Sequence, residues 1–340
     1  MRRRPNNSSL NQGGQKVHAL IIADLEGITD VYDLTDTGGC AALYTAEIQQ
    51  YIQALLSRNV AKITVCDAHD KGNLISREIS SDNVNIVARV DNVPFDEKYD
   101  FAILAGFHGM NGSPGIIPHT LRYDFKAVFS YYSRLQTWIP IGEVEIYSRW
   151  LGAKGIPVIL VTGDREAVYE ANCFNPYRQT CCVKSCFELN PANRALVYAK
   201  IAHSLDSALK LNRYACLSED SSEIAVEFNN PDVAEELSKA GYTSKEGRIV
   251  FSSCTELVNG LYPLLDKLNE INRANIAINK AFISEVRKLV GPLKKEDVAN
   301  SAIGPLLNKN ILFLDSKSRE KIMEGIKAML DNLPAQQNSV

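Results

Sequence analysis

The sequence predicts an α/β protein: a doubly wound, mostly parallel sheet, followed by a smaller α+β C-terminal lobe and added C-terminal helices. Three observations predict it. Short β-branched runs alternate with amphipathic segments through the first half of the chain. The first run, "VHALIIA" (17–23), is apolar enough to be a buried strand and ends abruptly in "DLEG". After about residue 190 the alternation gives way to a long helical segment and a mixture of short strands and helices.

The elements follow in order. After strand 17–23, "CAALYTAEIQQYIQALLSRN" sets Ile48, Tyr51, Ile52, Leu55 and Leu56 at helical spacing on one face. The short run "KITVCDAH" completes a strand, helix, strand unit, the seed of a parallel sheet. "NVNIVARV", "YDFAILAGFH", "KAVFSYYS" and "IPVILVTGD" extend the strand pattern, with helices expected at "GEVEIYSRWLGAKG" and "REAVYEANC". Beyond Pro191, "PANRALVYAKIAHSLDSALKL" reads as a long helix with proline near its first turn. "SEIAVEF", "GRIVFSS" and "CTELVNGLYPLLDKLNEI" suggest the smaller lobe, and "KAFISEVRKLV" and "SREKIMEGIKAML" suggest further helices. The expected organisation is a disordered arm at 1–16, a metal-binding catalytic domain at 17–190, an α+β lobe at 191–270 and a helical extension at 271–340.

Composition narrows the partners. With 37 Lys plus Arg against 40 Asp plus Glu and a net charge of −3, the chain offers no field for nucleic acid or an acidic membrane surface. No apolar run approaches the roughly 20 residues that span a bilayer, and the polar "MRRRPNNSSLNQGGQ" lacks the apolar segment of a targeting signal. The eight cysteines show no paired metal spacing; they read as reduced thiols of a cytoplasmic protein. In "CCVKSC", Cys181 and Cys182 would point to opposite faces of a strand and are poorly placed to share an ion.

Ligands of open parallel sheets sit outside the carboxyl ends of the strands, where loops from several strands converge. Those ends carry an unusual set. The first strand ends in Asp24 and Glu26, two acids on one side of extended chain. The second offers Asp67, His69 and Asp70, and a later one ends at His108. Glu143 opens a predicted helix, and His119 lies 11 residues past His108, across a Gly- and Pro-rich loop able to fold back over the same crevice. Taken singly, each has an ordinary explanation: a solvated turn acid, a helix cap, a histidine ordering its loop. Together they supply the imidazole and carboxylate donors of hydrolytic zinc, and more of them than one ion needs. No Gly-rich phosphate loop accompanies them. Dinuclear sites serve peptide, other amide and phosphate-ester hydrolysis alike, and a non-catalytic scaffold on the same fold stays open as well.

The segments "ADLEGIT", "VCDAHDKGNLI", "LAGFHGMNGSPGIIPHT", "IGEVEIY" and "GIPVILVTGDREA", with "ELNPANRA" and "EIAVEF" more loosely, resemble the DppA-type D-aminopeptidases over about residues 17–270. The resemblance implies two zinc ions per subunit, Asp24 bridging them, Glu26 and His108 completing one shell, and His69 and Glu143 the other. It implies that His119 is the catalytic histidine, that the substrate is a short peptide with a D-residue at its amino terminus, and that the protein is a homo-oligomer, in the family a homodecamer. Asp67 is a candidate acceptor for a ligand histidine N–H or, equally, a cap on its own loop. The cysteine-rich stretch before "NPANRA" is shorter than in the family, the interval between His119 and Glu143 is longer, and about 65 C-terminal residues have no counterpart there.

Overall fold

A computed structural model describes residues 16–184, 193–290 and 314–331. The expected disordered arm, Cys186, most of "ELNPANRA" and much of the expected extension lie outside them. In chain order the described strands and helices of the first two-thirds are β1 (His18–Ala23), α1 (Thr37–Leu56), β2 (Lys62–Asp67), β3 (Val84–Ala88), β4 (Phe101–Phe107), β5 (Phe125–Tyr132), β6 (Thr137–Pro140), α2 (Glu143–Ala153), β7 (Val158–Asp164), α3 (Arg165–Phe174), β8 (Gln179–Lys184) and α4 (Arg194–Ala208). They are followed by β9 (Ile224–Phe228), α5 (Asp232–Lys239), β10 (Ser244–Lys245), β11 (Arg248–Phe251), α6 (Cys254–Asn259), α7 (Leu261–Val290) and α8 (Ser316–Asp331).

Six strands form a parallel sheet in the order β3-β2-β1-β4-β7-β8. Strand order reverses direction between β1 and β4, so the loops leaving those two strands diverge and open a crevice at their carboxyl ends. Both faces of the sheet are covered, which is why β1, β4 and β7 are mostly apolar and buried along their whole length. Tyr44, Ile48, Tyr51 and Leu55 of α1 pack with Ile201 and Leu205 of α4 against Ile21, Ile63 and Ile103. Helices α2 and α3 pack against β4, β7 and β8. Ile48, Tyr51, Ile52 and Leu55 of α1 are buried as the predicted helical spacing requires, and Leu56 is half-buried. Cys181 is buried and Cys182 half-buried, as opposite strand faces require.

One expectation is corrected. "KAVFSYYS" does form a strand, but β5 leaves the parallel sheet and pairs antiparallel with β6, Phe129 opposite Pro140 and Tyr132 opposite Thr137. Arg149 on α2, buried and paired with Glu145 at 2.7 Å, holds this hairpin through Ser130 at 2.6 Å and the Tyr132 hydroxyl at 2.8 Å. The described residues divide into two compact units, one drawn from Met1–Ala225 and Phe251–Asn259, the other from Val226–Val250 and Gly260–Val340. Helix α4 belongs to the first because its apolar face completes the sheet's cover. In the second unit α7 runs unbroken through residue 271, where the extension was expected to begin. There Asp232 accepts from the backbone and hydroxyl of Ser316 at 2.7 and 2.9 Å, and Val286, Leu314, Ile322 and Ile326 bury a small apolar cluster.

The loop after β1 is laid directly on β4. Asp24 N donates to Ala105 O at 2.8 Å and Gly27 N to Gly106 O at 2.7 Å. A Cβ on Gly27 would stand 1.8 Å from Phe107 O, and Gly106 has φ +76°, so both glycines are required by the contact. Gly27→Ala should therefore destabilise the protein by on the order of 3 kcal/mol. Gly38→Ala, where the nearest atom to the new Cβ lies at 3.8 Å, should not destabilise it; equal denaturant midpoints for the two variants would contradict this packing.

Candidate metal centre

The crevice at the β1/β4 reversal gathers all six candidates. Asp24 follows β1 directly, His69 lies in the turn after β2, closed by Gly72 N donating to His69 O at 2.8 Å, and His108 follows β4. Glu143 is the first residue of α2. The loop after His108 folds back, with His119 N donating to Gly109 O at 3.2 Å, and stacks the two imidazoles 4.1 Å apart and 9° from parallel. Asp24 sits between the two halves of the cluster: Oδ1 is 3.7 Å from His69 Nδ1, and Oδ2 is 3.3 Å from His108 Nε2. Glu26 Oε2 is 3.0 Å from His69 Nδ1 and Glu143 Oε1 is 3.4 Å from His108 Nε2. His119 Nε2 lies 3.8 Å from Glu26 Oε1.

The rings are aimed by backbone. His108 Nδ1 donates to Gly109 O at 3.0 Å and His119 Nδ1 to Ile117 O at 3.1 Å, so each presents Nε2 to the cluster, the posture of a ligand or a proton acceptor. Glu143 is fixed by Leu121 N donating to its Oε1 at 2.7 Å. Two groups, Asp24–Glu26–His69 and His108–His119–Glu143, each bring donor atoms within 4.8 Å of one another. These groupings differ from the shells implied by the resemblance, which put His108 with Glu26 and His69 with Glu143. Asp24 Oδ2 and His108 Nε2 are buried and have no hydrogen-bond partner. Buried polar atoms are almost always partnered, and two facing orphans of carboxylate and imidazole fit a shared cation.

Electrostatics point the same way. Three carboxylates withdrawn from water repel one another and require positive charge nearby. Burial, then the neighbouring Glu26, pushes Asp24 up to about 7. Burial would also raise Glu26, yet hydrogen bonding to His69 and the charges of His108 and His119 hold it well below the carboxylate range. Burial opposes protonation of His69 and His108, but the acids around them win, carrying His69 up to about 11 and His108 up to about 10. His119 goes the other way: burial and the adjacent His108 lower it. The cluster thus contains two imidazoles that behave as cations and one that stays neutral.

Asp67 and Asp70 are not in the cluster. Asp67 Oδ2 accepts from Leu74 N at 2.8 Å and Ile75 N at 2.9 Å, and Oδ1 accepts from the Tyr44 hydroxyl at 3.3 Å, so it caps its own loop and is no acceptor for a ligand histidine. Its place as the last residue of β2 turns the side chain toward α1 and the following loop. Asp70 is an exposed turn residue. The structure adds residues no short motif signals. Tyr123, 56% exposed, stacks on the outer face of His119 at 4.3 Å. Glu170 of α3 accepts with Oε1 from Gly142 N at 2.9 Å and Glu145 N at 3.0 Å, capping the first turn of α2, and burial pushes it up to about 8. Lys184, at the end of β8, is buried beneath the Asp24–Val31 loop, and burial pulls its ammonium down to about 8. Glu170 and Lys184 are tied to the site by contacts distant in sequence.

A doubly wound sheet with a buried carboxylate and imidazole cluster at its switch point fits a metal-dependent hydrolase, and the family comparison narrows it to the metallopeptidases. The sequence model of peptidase family M55, described as D-aminopeptidase, matches residues 17–261, and the chain belongs to that family. It is 25% identical over 232 residues, 62% of this chain and 81% of the relative, to the D-aminopeptidase of Bacillus subtilis (strain 168). Among solved structures it resembles the Zn-dependent D-aminopeptidase DppA from Bacillus subtilis, described as a self-compartmentalizing protease. The TM-score is 0.62 at 20% identity, covering 74% of this chain and 97% of that one, which shows the shared fold.

The protonation pattern has a measurable consequence. Because His69 and His108 are raised above neutrality, both hold protons at pH 7 in chelator-treated protein, and a cation must displace them. Zinc titrated into weakly buffered apoprotein should release protons, and zinc affinity should rise with pH, about tenfold per unit for each proton displaced. An affinity independent of pH between about 6 and 8 would contradict imidazole ligation.

Proposed function

We propose that the protein is a zinc aminopeptidase with two metal ions per subunit, removing the N-terminal residue of short peptides and preferring D-residues. The observation that carries this reading is the meeting of Asp24, Glu26, His69, His108 and Glu143 at one crevice, with buried atoms of Asp24 and His108 facing each other at 3.3 Å without a hydrogen bond. Mixed imidazole and carboxylate donors suit zinc. Asp24 would be shared, with Glu26 and His69 on one side and His108 and Glu143 on the other, the grouping that the closest contacts support. When bound, two divalent cations supply polarisation of a carbonyl and a water of lowered pKa.

The chain's own residues do the rest. His119 stays neutral and turns Nε2 into the crevice, held by Ile117 O, so it can take up a proton there and deliver it to the leaving amine. The stack of His108, His119 and Tyr123 keeps its ring in one plane and shields one face from water. The D-preference rests on the family and on relatives described as D-aminopeptidases. Assembly into a homo-oligomer, a homodecamer by the earlier resemblance, is supported by the self-compartmentalizing character of the structural relative. A cytoplasmic location suits the seven described cysteines, all free thiols. Among the described residues no helix is long and apolar enough to cross a membrane.

Purified protein should carry about two zinc ions per chain and release D-Ala from D-Ala-D-Ala faster than L-Ala from the L,L-dipeptide. Turnover of a phosphate ester with neither dipeptide cleaved would replace the peptidase reading. His119→Ala should keep its metal and lose about 10²- to 10⁴-fold in kcat; unchanged turnover would remove His119 from the mechanism. Asp24→Ala should lose both ions, and a full pair retained would refute the shared ligand. Native mass measurement should return a multiple of the 37.6 kDa chain, and a monomer at working concentration would exclude the assembly.

A further inference from the structure

The Asp24–Val31 segment, which carries two of the candidate ligands, is held from three sides. Backbone N–H groups of Asp24 and Gly27 bond to the end of β4. Thr29 N donates to Glu47 Oε2 of α1 at 3.1 Å. From the far side, Lys184 Nζ donates to the carbonyls of both Glu26 and Val31. Lys184 ends β8, which is separated from β1 by β4 and β7, so its side chain ties the loop to the opposite edge of the sheet. It is 5% exposed, and its ammonium lies 5.8 Å from the centre of the Tyr32 ring. The acids that face it, Asp164, Glu26, Glu47 and Asp24, act across space. A buried cation whose hydrogen bonds go to two carbonyls, with the Tyr32 ring 5.8 Å away, is costly. An apolar side chain with a water beneath the loop would have been the cheaper way to satisfy two carbonyls.

We propose that Lys184 is a positioning residue of the metal centre: by gripping the carbonyls of Glu26 and Val31 it fixes where the Glu26 carboxylate stands, and its charge offsets the crowded acids of the ligand shell. This rests on the metal reading above. Lys184 touches neither the ligand side-chain atoms nor any reacting group, and it acts through the backbone of the residue it holds. Glu47 and the two glycine contacts fix the loop's height over the sheet, but they bring no positive charge. Lys184 brings both.

The test measures zinc affinity by chelator competition, and the visible spectrum of the cobalt(II)-substituted protein, for the full-length wild type, Lys184→Met, Lys184→Gln and Lys184→Arg. Lys184→Met should bind zinc on the order of 10- to 100-fold more weakly and show an altered cobalt spectrum, with its circular dichroism unchanged. Lys184→Gln, which keeps a donor without the charge, should fall between Lys184→Met and wild type. A folded Lys184→Met with wild-type affinity and spectrum overturns the proposal. Should Lys184→Met not fold, Lys184→Arg must recover both fold and zinc affinity, and its failure to do so overturns the proposal equally. Wild-type zinc content reports separately on the metal reading: a wild type that binds no zinc removes both ideas, whereas a zinc-loaded wild type with indifferent variants removes only this one.

Discussion

Mutual repulsion among Asp24, Glu26 and Glu143, all withdrawn from water, is the constraint on which the rest of the first unit depends. Three like charges in one dry crevice are tolerable only where positive charge and fixed donors surround them. Each neighbour answers that demand. His69 and His108 are drawn toward protonation, Leu121 N fastens Glu143, and Lys184 stands under the loop that carries the other two acids. Burial first, and then stacking on a ring drawn toward protonation, keeps His119 from the same role. One imidazole is thereby left neutral and able to act as a base.

Topology supplies the place. In the order β3-β2-β1-β4-β7-β8 the reversal falls between β1 and β4, and these two strands end in the Asp24 loop and in His108. Gly27 and Gly106 let the two loops touch backbone to backbone, so the distance between Asp24 and His108 is set by a main-chain contact that side-chain motion cannot relax. Burial by α1 and α4 on one face and α2 and α3 on the other makes the platform stiff. A site of five or six converging side chains tolerates little play, and a parallel sheet wrapped on both sides offers little.

Much of this was legible in the sequence because the informative residues sit where strands end. Apolar runs mark β1, β2, β4 and β7, and the polar residues that interrupt them at the carboxyl edge, Asp24, Glu26, His69 and His108, are conspicuous against such backgrounds. Glu143 and His119 needed the spacing of a helix start and of a returning loop. What was not legible depends on partners remote in the chain. "KAVFSYYS" has the composition of any buried strand, and only its pairing with β6 removes it from the parallel sheet. Helix α4 follows a change of pattern and yet closes the first core. Asp67 stands beside the ligand loop in sequence, but the strand's alternation turns it to Leu74 and Ile75 instead. Lys184 and Glu170 carry no local mark at all, since a lysine ending a strand and a glutamate inside a helix are ordinary until the loops above them are placed.

The cap that Glu170 lends to α2 has a consequence for anyone who would move this cluster to another protein. The bearing of Glu143 is inherited from the direction in which α2 sets out, and that direction is fixed by a carboxyl belonging to the next helix. A transplant of the five candidate donor residues alone would carry their names without their aim. The smallest portable unit is the sheet edge together with both helices behind it.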